Sequence, residues 1–186
     1  MGKLILILGG ARSGKSSYAQ RLAKETGKSV TFIATAQALD EEMSARVKVH
    51  QEERPADWVT LEIPLEISEY LRTNPIETEV VLLDCVTLLI SNILMGYVEN
   101  DMADEERSTQ AVQKELDDLI SAIRGGGQDW IVISNEVGLG LVPPYQMGRV
   151  YRDLLGWANQ CLAWVAGEVY WMVAGIPVPI QGYKTA

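Results

Sequence analysis

The chain has 186 residues, long enough for one domain with a sizeable buried core. Apolar residues make up 47% and charged residues 22%, the balance of an ordinary soluble globular protein. The net charge of −9 leaves no basic excess to meet a nucleic-acid backbone, which argues against non-specific nucleic-acid binding but not against nucleotides, which need only a local positive site.

The first element is the apolar strand Leu4-Ile5-Leu6-Ile7-Leu8. It runs into Gly9-Gly10-Ala11-Arg12-Ser13-Gly14-Lys15-Ser16, which fits G-x-x-x-x-G-K-[ST]. Glycines let such a loop wrap phosphate oxygens with consecutive backbone N–H groups pointing inward. Lys15 would reach the β- and γ-phosphates and the Ser16 hydroxyl would sit on Mg²⁺. The helix that follows, from Ser17 to Ala23, adds its positive end to the same anion site. A plain glycine-rich turn would leave Lys15 and Ser16 unexplained.

Gly27 stops that helix, and Val30 to Ala34 reads as a second buried strand. Thr35-Ala36-Gln37 leaves its carboxyl end, where ligands of parallel sheets collect. Asp40-Glu41-Glu42 opens a helix with acidic residues at its positive end, and Met43, Val47 and His50 share one face of it. Pro55 and Asp57 end this helix. Trp58 to Glu62 is a short alternating strand, and Pro64 to Thr73 a brief helix stopped at Asn74-Pro75. Glu79 to Cys85 is a near-continuous apolar strand with Asp84 at its carboxyl end, the place of a second, metal-holding carboxylate in a phosphate-loop site.

Val86 to Tyr97 is an apolar helix and Asn100 to Arg107 a polar, exposed connection. Val112, Leu116, Leu119, Ile120 and Ile123 mark one face of a long helix that ends at Gly125-Gly126-Gly127. Trp130 to Ser134 is the next strand. After Pro143-Pro144, a helix carries Met147, Val150, Tyr151, Leu154, Leu155, Ala158 and Leu162 inward. Glu168 to Ala174 and Val178 to Gln181 finish as strands, and the tight Gly175-Ile176-Pro177 link makes that pair antiparallel. Strands alternating with helices give an α/β domain with a mostly parallel sheet. The apolar stretch Trp164 to Ile180 is broken by glycines, prolines and Glu168, and is no membrane span. The N-terminal apolar run is too short for a signal peptide, and Cys85 and Cys161 share no metal-ligand spacing. Both read as buried thiols of a reducing cytoplasm.

His50 is the single histidine. A lone histidine on a helix face is more often structural than catalytic. Arg46 and Arg54, four residues to either side, favour the neutral, nucleophilic imidazole and could hold phosphate oxygens. Alternatively Asp40, Glu41, Glu42, Glu52 and Glu53 neutralise those arginines on a solvated face. Glu136 could act as a base or support one, or simply be a turn carboxylate before Gly138.

Taken together, GGARSGKS, IATAQALDEEM, ARVKVHQEERP with DWVTLE, LLDCVT and SNEVGLGLVP resemble the bifunctional adenosylcobinamide kinase / adenosylcobinamide-phosphate guanylyltransferase family of cobalamin biosynthesis. The likeness runs in order from Leu4 to about Ile180. It implies a P-loop NTPase (RecA-like) three-layer sandwich, with residues 1–186 as one domain. It also implies a homotrimer with the corrinoid in a cleft between subunits; Trp58, Tyr97, Trp157 and Trp164 suit such interfaces.

The resemblance further implies that ATP or GTP phosphorylates adenosylcobinamide, and that GMP then passes from GTP through a GMP–histidine intermediate to adenosylcobinamide phosphate. His50 matches the guanylylated histidine. GTP binding is implied for Gly9, Gly10, Ala11, Arg12, Ser13, Gly14, Lys15 and Ser16. It is likewise implied for Thr35, Ala36 and Gln37, for Gln51, Glu52, Glu53 and Arg54, and for Glu62 and Asp84, with Ser16 and Asp84 on Mg²⁺. Some relatives carry a second histidine where this chain has Val49, and some carry Glu in place of Asp84. Two rivals remain at this level: a monofunctional P-loop small-molecule kinase, and a non-catalytic GTP-binding regulatory module. Against the second, Asn135-Glu136-Val137-Gly138 is not the N-K-x-D guanine reader of switch GTPases.

Overall fold

A computed structural model of the chain describes residues 2–37 and 54–180. Its strands are β1 (Leu4–Gly9), β2 (Val30–Ala34), β3 (Val59–Glu62), β4 (Val80–Asp84), β5 (Val98–Glu99), β6 (Met102–Ala103), β7 (Asp129–Asn135), β8 (Glu168–Val173) and β9 (Ile176–Pro179). Its helices are α1 (Lys15–Glu25), α2 (Ile67–Thr73), α3 (Val86–Met95), α4 (Glu105–Gly125) and α5 (Gln146–Val165). Seven strands form one sheet in the order β3-β2-β4-β7-β1-β8-β9, parallel except for β8–β9. β5 and β6 make a separate hairpin.

The central strands are continuous apolar runs because both their faces are covered. Leu4, Leu6, Leu8, Val81, Leu83, Trp130 and Val132 face α2, α3, α4 and α5. Ile7, Phe32, Val80, Leu82, Ile131 and Ile133 face the other way, onto Tyr18, Ala19 and Ala23 of α1. The result is the expected three-layer α/β sandwich. Each fully buried leucine or isoleucine contributes about 1.5–3 kcal/mol of hydrophobic stabilisation. Parallel register aligns the carboxyl ends of the strands: Gly9 pairs with Asn135 and Met172, and Ala34 with Asp84 and Glu62. The phosphate loop, Asp84 and Glu62 thereby share one edge.

Five details depart from the sequence reading. α2 starts at Ile67 rather than Pro64, because Glu66 takes a left-handed conformation (φ 53°) and Pro64 gives its carbonyl to Asn92. α3 ends at Met95, its last turn tightened by bonds from the Gly96 and Tyr97 N–H groups to the Ile93 and Leu94 carbonyls. The 100–107 connection is ordered. Asn100 and Asp101, both at positive φ, turn the β5–β6 hairpin. Asp104 then caps α4 by accepting from the Arg107 N–H. The β8–β9 turn is Ala174-Gly175, with Ile176 and Pro177 already in the strand; β9 is an edge, where proline is tolerated. Cys85 is buried, as expected, but it lies just past β4 at the start of α3, and Cys161 is only half-buried. The helix expected over Asp40 to Arg54, with Met43, Arg46, Val47 and His50, lies outside the described residues except for its last position. Among the described residues no helix is long and apolar enough to cross a membrane.

Candidate active site

The phosphate loop is a tight wrap. Gly9 has φ +152°, and a Cβ there would stand 2.7 Å from the Met172 carbonyl oxygen and 2.8 Å from Ser13 Oγ. Gly14 (φ +94°) precedes α1, and its Cβ would come within 3.1 Å of Gly175 Cα. The Gly175 N–H donates to the Ser13 carbonyl at 3.0 Å, so the β8–β9 turn braces the loop from the side. The Glu136 N–H donates to the Gly9 carbonyl at 3.1 Å and braces it from β7. On Gly10, by contrast, a Cβ would meet nothing within 4 Å. Ala11 and Arg12 are exposed, and Ser16 is half-buried.

Lys15 is only 7% exposed, and its Nζ donates to the Gly10 carbonyl at 2.7 Å. Burial pushes its ammonium below the usual lysine range, opposed by the charges of Cys85 and Asp84. Of these two only Asp84 counts near neutral pH, because burial pushes the Cys85 thiol up to about 12. Lys15 and Asp84 therefore face one another electrostatically. Ser13 Oγ is buried in the loop with no hydrogen-bond partner. A buried, unpartnered hydroxyl in a cradle of N–H groups suits an incoming oxyanion.

The second half of the site sits at the ends of β2, β3 and β4. Thr35 is fully buried, and its Oγ1 accepts from the Cys85 N–H and donates to the Cys85 carbonyl, both at 2.8 Å. Its N–H donates to the Asp84 carbonyl at 3.1 Å, and its own carbonyl accepts from Asn92 Nδ2 at 2.9 Å. All the polar groups of Thr35 are thus engaged inside the protein, where they hold the backbone that carries Asp84. Ala36 and Gln37 follow, half-buried.

Arg54 stacks its guanidinium 3.8 Å from the Phe32 ring centroid. Its Nε and Nη1 are buried and have no hydrogen-bond partner. Burial pushes Arg54 below its usual range, opposed by the charges of Asp84 and Glu62. A desolvated guanidinium with unused N–H groups, within electrostatic reach of Asp84 and Glu62, fits a phosphate. His50, Gln51, Glu52, Glu53 and Arg46 lie outside the described residues. Among the described residues no group of three or more His, Cys, Asp or Glu side chains gathers to hold a metal.

Glu136 turns its carboxylate back onto the Gly138 N–H, the posture of a turn carboxylate. Another set of residues escaped the sequence reading. Thr87 Oγ1 accepts from the Asn135 N–H at 2.6 Å, the Tyr151 hydroxyl donates to the Thr87 carbonyl, and Asn159 Nδ2 donates to the Asn135 carbonyl at 2.9 Å. These bonds lock α3 and α5 to the end of β7. Asn159 on the apolar face of its helix, next to Ala158, was the available signal. A cavity of about 770 Å³ between α2 and α4, lined by Glu69, Arg72, Glu115 and Trp130 among others, contains none of the site residues.

The Cobinamide kinase / cobinamide phosphate guanyltransferase family model matches residues 5–180. The Bifunctional adenosylcobalamin biosynthesis protein CobU of Escherichia coli (strain K12) is 40% identical over 181 residues, 96% of this chain and 99% of the relative. The Bifunctional adenosylcobalamin biosynthesis protein CobP of Pseudomonas aeruginosa is 44% identical over 177 residues, 95% of this chain and 96% of the relative. The CobU protein of Salmonella typhimurium is 36% identical, over 96% of this chain and 99% of its own length. With the phosphate loop, Asp84 and Arg54 converging at one edge of the sheet, and with near-complete matches in both directions, the chain belongs to the cobinamide kinase / cobinamide phosphate guanyltransferase family.

Proposed function

We propose that this protein is a bifunctional enzyme of adenosylcobalamin biosynthesis. It phosphorylates adenosylcobinamide with ATP or GTP, then transfers GMP from GTP to adenosylcobinamide phosphate. The observation that carries the reading is the phosphate cradle itself, with Lys15 buried in it and Asp84 and Arg54 beside it, in a chain that matches the family over residues 5–180.

In the first step the acceptor's hydroxyl oxygen attacks the γ-phosphorus, the bond from that phosphorus to the bridging oxygen breaks, the nucleoside diphosphate leaves and the hydroxyl proton passes to solvent. Lys15 and the loop N–H groups meet the charge that develops on the transferring phosphoryl. Ser16 and Asp84 are hard oxygen donors of the type Mg²⁺ takes, and they would hold it together with nucleotide oxygens and water. When bound, it would neutralise phosphate charge. Thr35 keeps Asp84 in place rather than touching nucleotide through its hydroxyl.

In the second step an imidazole nitrogen of His50 attacks the α-phosphorus of GTP, the P–O bond to pyrophosphate breaks, and a phosphoramidate forms. A phosphate oxygen of the acceptor then attacks that phosphorus, the P–N bond breaks, and adenosylcobinamide-GDP is released. The covalent intermediate divides one hard displacement into two. Arg54, four residues past His50, brings its unused N–H groups to phosphate oxygens. The remaining nucleotide contacts fall to Gly9–Ser16, Ala36, Gln37, Gln51, Glu52, Glu53 and Glu62. Both activities share one domain, and the working form is a cytoplasmic homotrimer.

The test is direct. Wild-type protein given α-labelled GTP alone should retain acid-labile label, and adding adenosylcobinamide phosphate should move that label into the GDP-linked product. Retention of no label, with phosphorylation of adenosylcobinamide intact, would leave a monofunctional kinase.

A further inference from the structure

Residues 136–145 link β7 to α5 at the carboxyl edge of the sheet, and this loop is built against the usual rule. Leu139 is 81% exposed, Leu141 96%, Val142 63% and Tyr145 58%. Met102 of the β5–β6 hairpin is 56% exposed. A single exposed leucine is ordinary, but a cluster of this kind marks a binding surface.

The C-terminal part of this loop is held from below. Arg149 Nη1 donates to the Pro143 and Pro144 carbonyls at 3.1 and 2.9 Å. The Gln146 amide accepts from the Ala103 N–H at 2.9 Å and donates to the Ala103 carbonyl at 3.1 Å, which ties the hairpin bearing Met102 to the loop. Gly148 has no side chain because Tyr145 and Pro143 lie over it; a Cβ there would meet the Tyr145 ring at 2.5 Å. Tyr145 and Met102 are therefore presented outward from a braced shelf, and Leu139, Leu141 and Val142 stand exposed on the same loop just before it.

The position of the shelf limits its occupant. The loop begins at Glu136, whose N–H bonds the Gly9 carbonyl, so it starts directly against the phosphate loop. From Val137 to Tyr145 the sequence carries no charged side chain, which makes it a poor seat for a nucleotide. Both proposed reactions act on one arm of the same acceptor, whose bulk is a broad macrocycle. That body lies beside the phosphates and outside their cradle, where an exposed apolar surface can pack against the ring. We infer that Leu139, Leu141, Val142, Tyr145 and Met102 form the seat for the corrin macrocycle of the acceptor. This inference rests on the bifunctional reading above.

The test uses the full-length Leu139→Ser/Leu141→Ser variant and three readouts. The KM for adenosylcobinamide in the kinase step should rise about tenfold or more, the scale on which apolar pocket contacts discriminate. The KM for the nucleotide, label uptake from GTP alone and the sedimentation mass should all match wild type. An unchanged KM for adenosylcobinamide overturns the assignment. A lowered sedimentation mass also overturns it, since the shelf would then be a contact between copies of the chain. Wild-type protein that takes up no label contradicts the guanylyltransferase reading instead, and the kinase-step KM still judges the shelf.

Discussion

The two sides of the phosphate loop are held by opposite means. On the β8 side the clamp is backbone against backbone. Gly9 presses on the Met172 carbonyl, Gly14 on Gly175, and the Gly175 N–H bonds the Ser13 carbonyl. On the β2–β4 side the clamp is a side chain, with the Thr35 hydroxyl bridging both backbone groups of Cys85 next to Asp84. The first clamp fails when an atom is added, the second when an atom is removed. Comparing the sides shows that a fixed phosphate cradle needs both steric economy and satisfied buried polar groups.

The largest expected effect lies between the clamps. Lys15→Ala removes the buried ammonium that both sides serve, and should slow phosphoryl transfer by about 10²–10³-fold or more, the scale of losing one charged transition-state contact. Steady-state kinase turnover within a few-fold of wild type would remove Lys15 from the reaction. Next comes the backbone clamp. Gly9→Ala forces a methyl into the Met172 carbonyl and Ser13 at a backbone angle that disfavours side chains. Kinase turnover should fall about 100-fold through misplacement of the loop. If turnover holds while folding is intact, the β8 side does not set the geometry of the loop.

Thr35→Val then breaks the other clamp while keeping shape. It orphans the buried Cys85 N–H and should cost about 1–3 kcal/mol in denaturant unfolding. Thr35→Ser, which keeps the hydroxyl, should recover most of that loss; equal losses for both variants would point to packing instead. The smallest effect belongs at the opposite edge of the sheet, out of reach of either clamp. There Lys28 Nζ and the Lys3 N–H hold the Asp129 carboxylate below its ordinary value of 3.8. Its stabilisation is fully present above 3.8 and is lost as pH falls through the lower folded value. Asp129→Asn should cost under about 1 kcal/mol at pH 7, because the pair is exposed. The difference between variant and wild type should narrow as pH falls below 3.8; a gap that stays the same under acid would contradict the ion-pair account.

The phosphate loop and the Asp84 strand were more legible in the sequence than the β8 brace. Lys15 and Ser16 stand at fixed local spacing from Gly9, and Asp84 ends an apolar run, so short windows suffice for both. Thr35 was placed at the site, but its role depends on the Ala34–Asp84 register, which no window contains. The Gly175 brace joins distant parts of the chain and left no local mark. Two-residue strands such as β5 and β6 carry no periodicity, although Asn100-Asp101 held a turn signal that the acidic composition masked. The exposed leucines of 139–141 read as apolar residues with no indication of their direction. Burial there is decided by Arg149, Gln146 and Gly148 farther along the chain.

The most direct test of the two-activity account is His50→Ala, assayed for both reactions in one preparation. His50 is the only imidazole in the chain, so no neighbour can replace it. The variant should retain no label from α-labelled GTP and make no adenosylcobinamide-GDP, while it still phosphorylates adenosylcobinamide, since that step relies on the phosphate loop and Asp84. Conversion of adenosylcobinamide phosphate and GTP to the GDP-linked product at near wild-type rate by His50→Ala would contradict it, and direct attack of the acceptor phosphate on GTP would replace the covalent route.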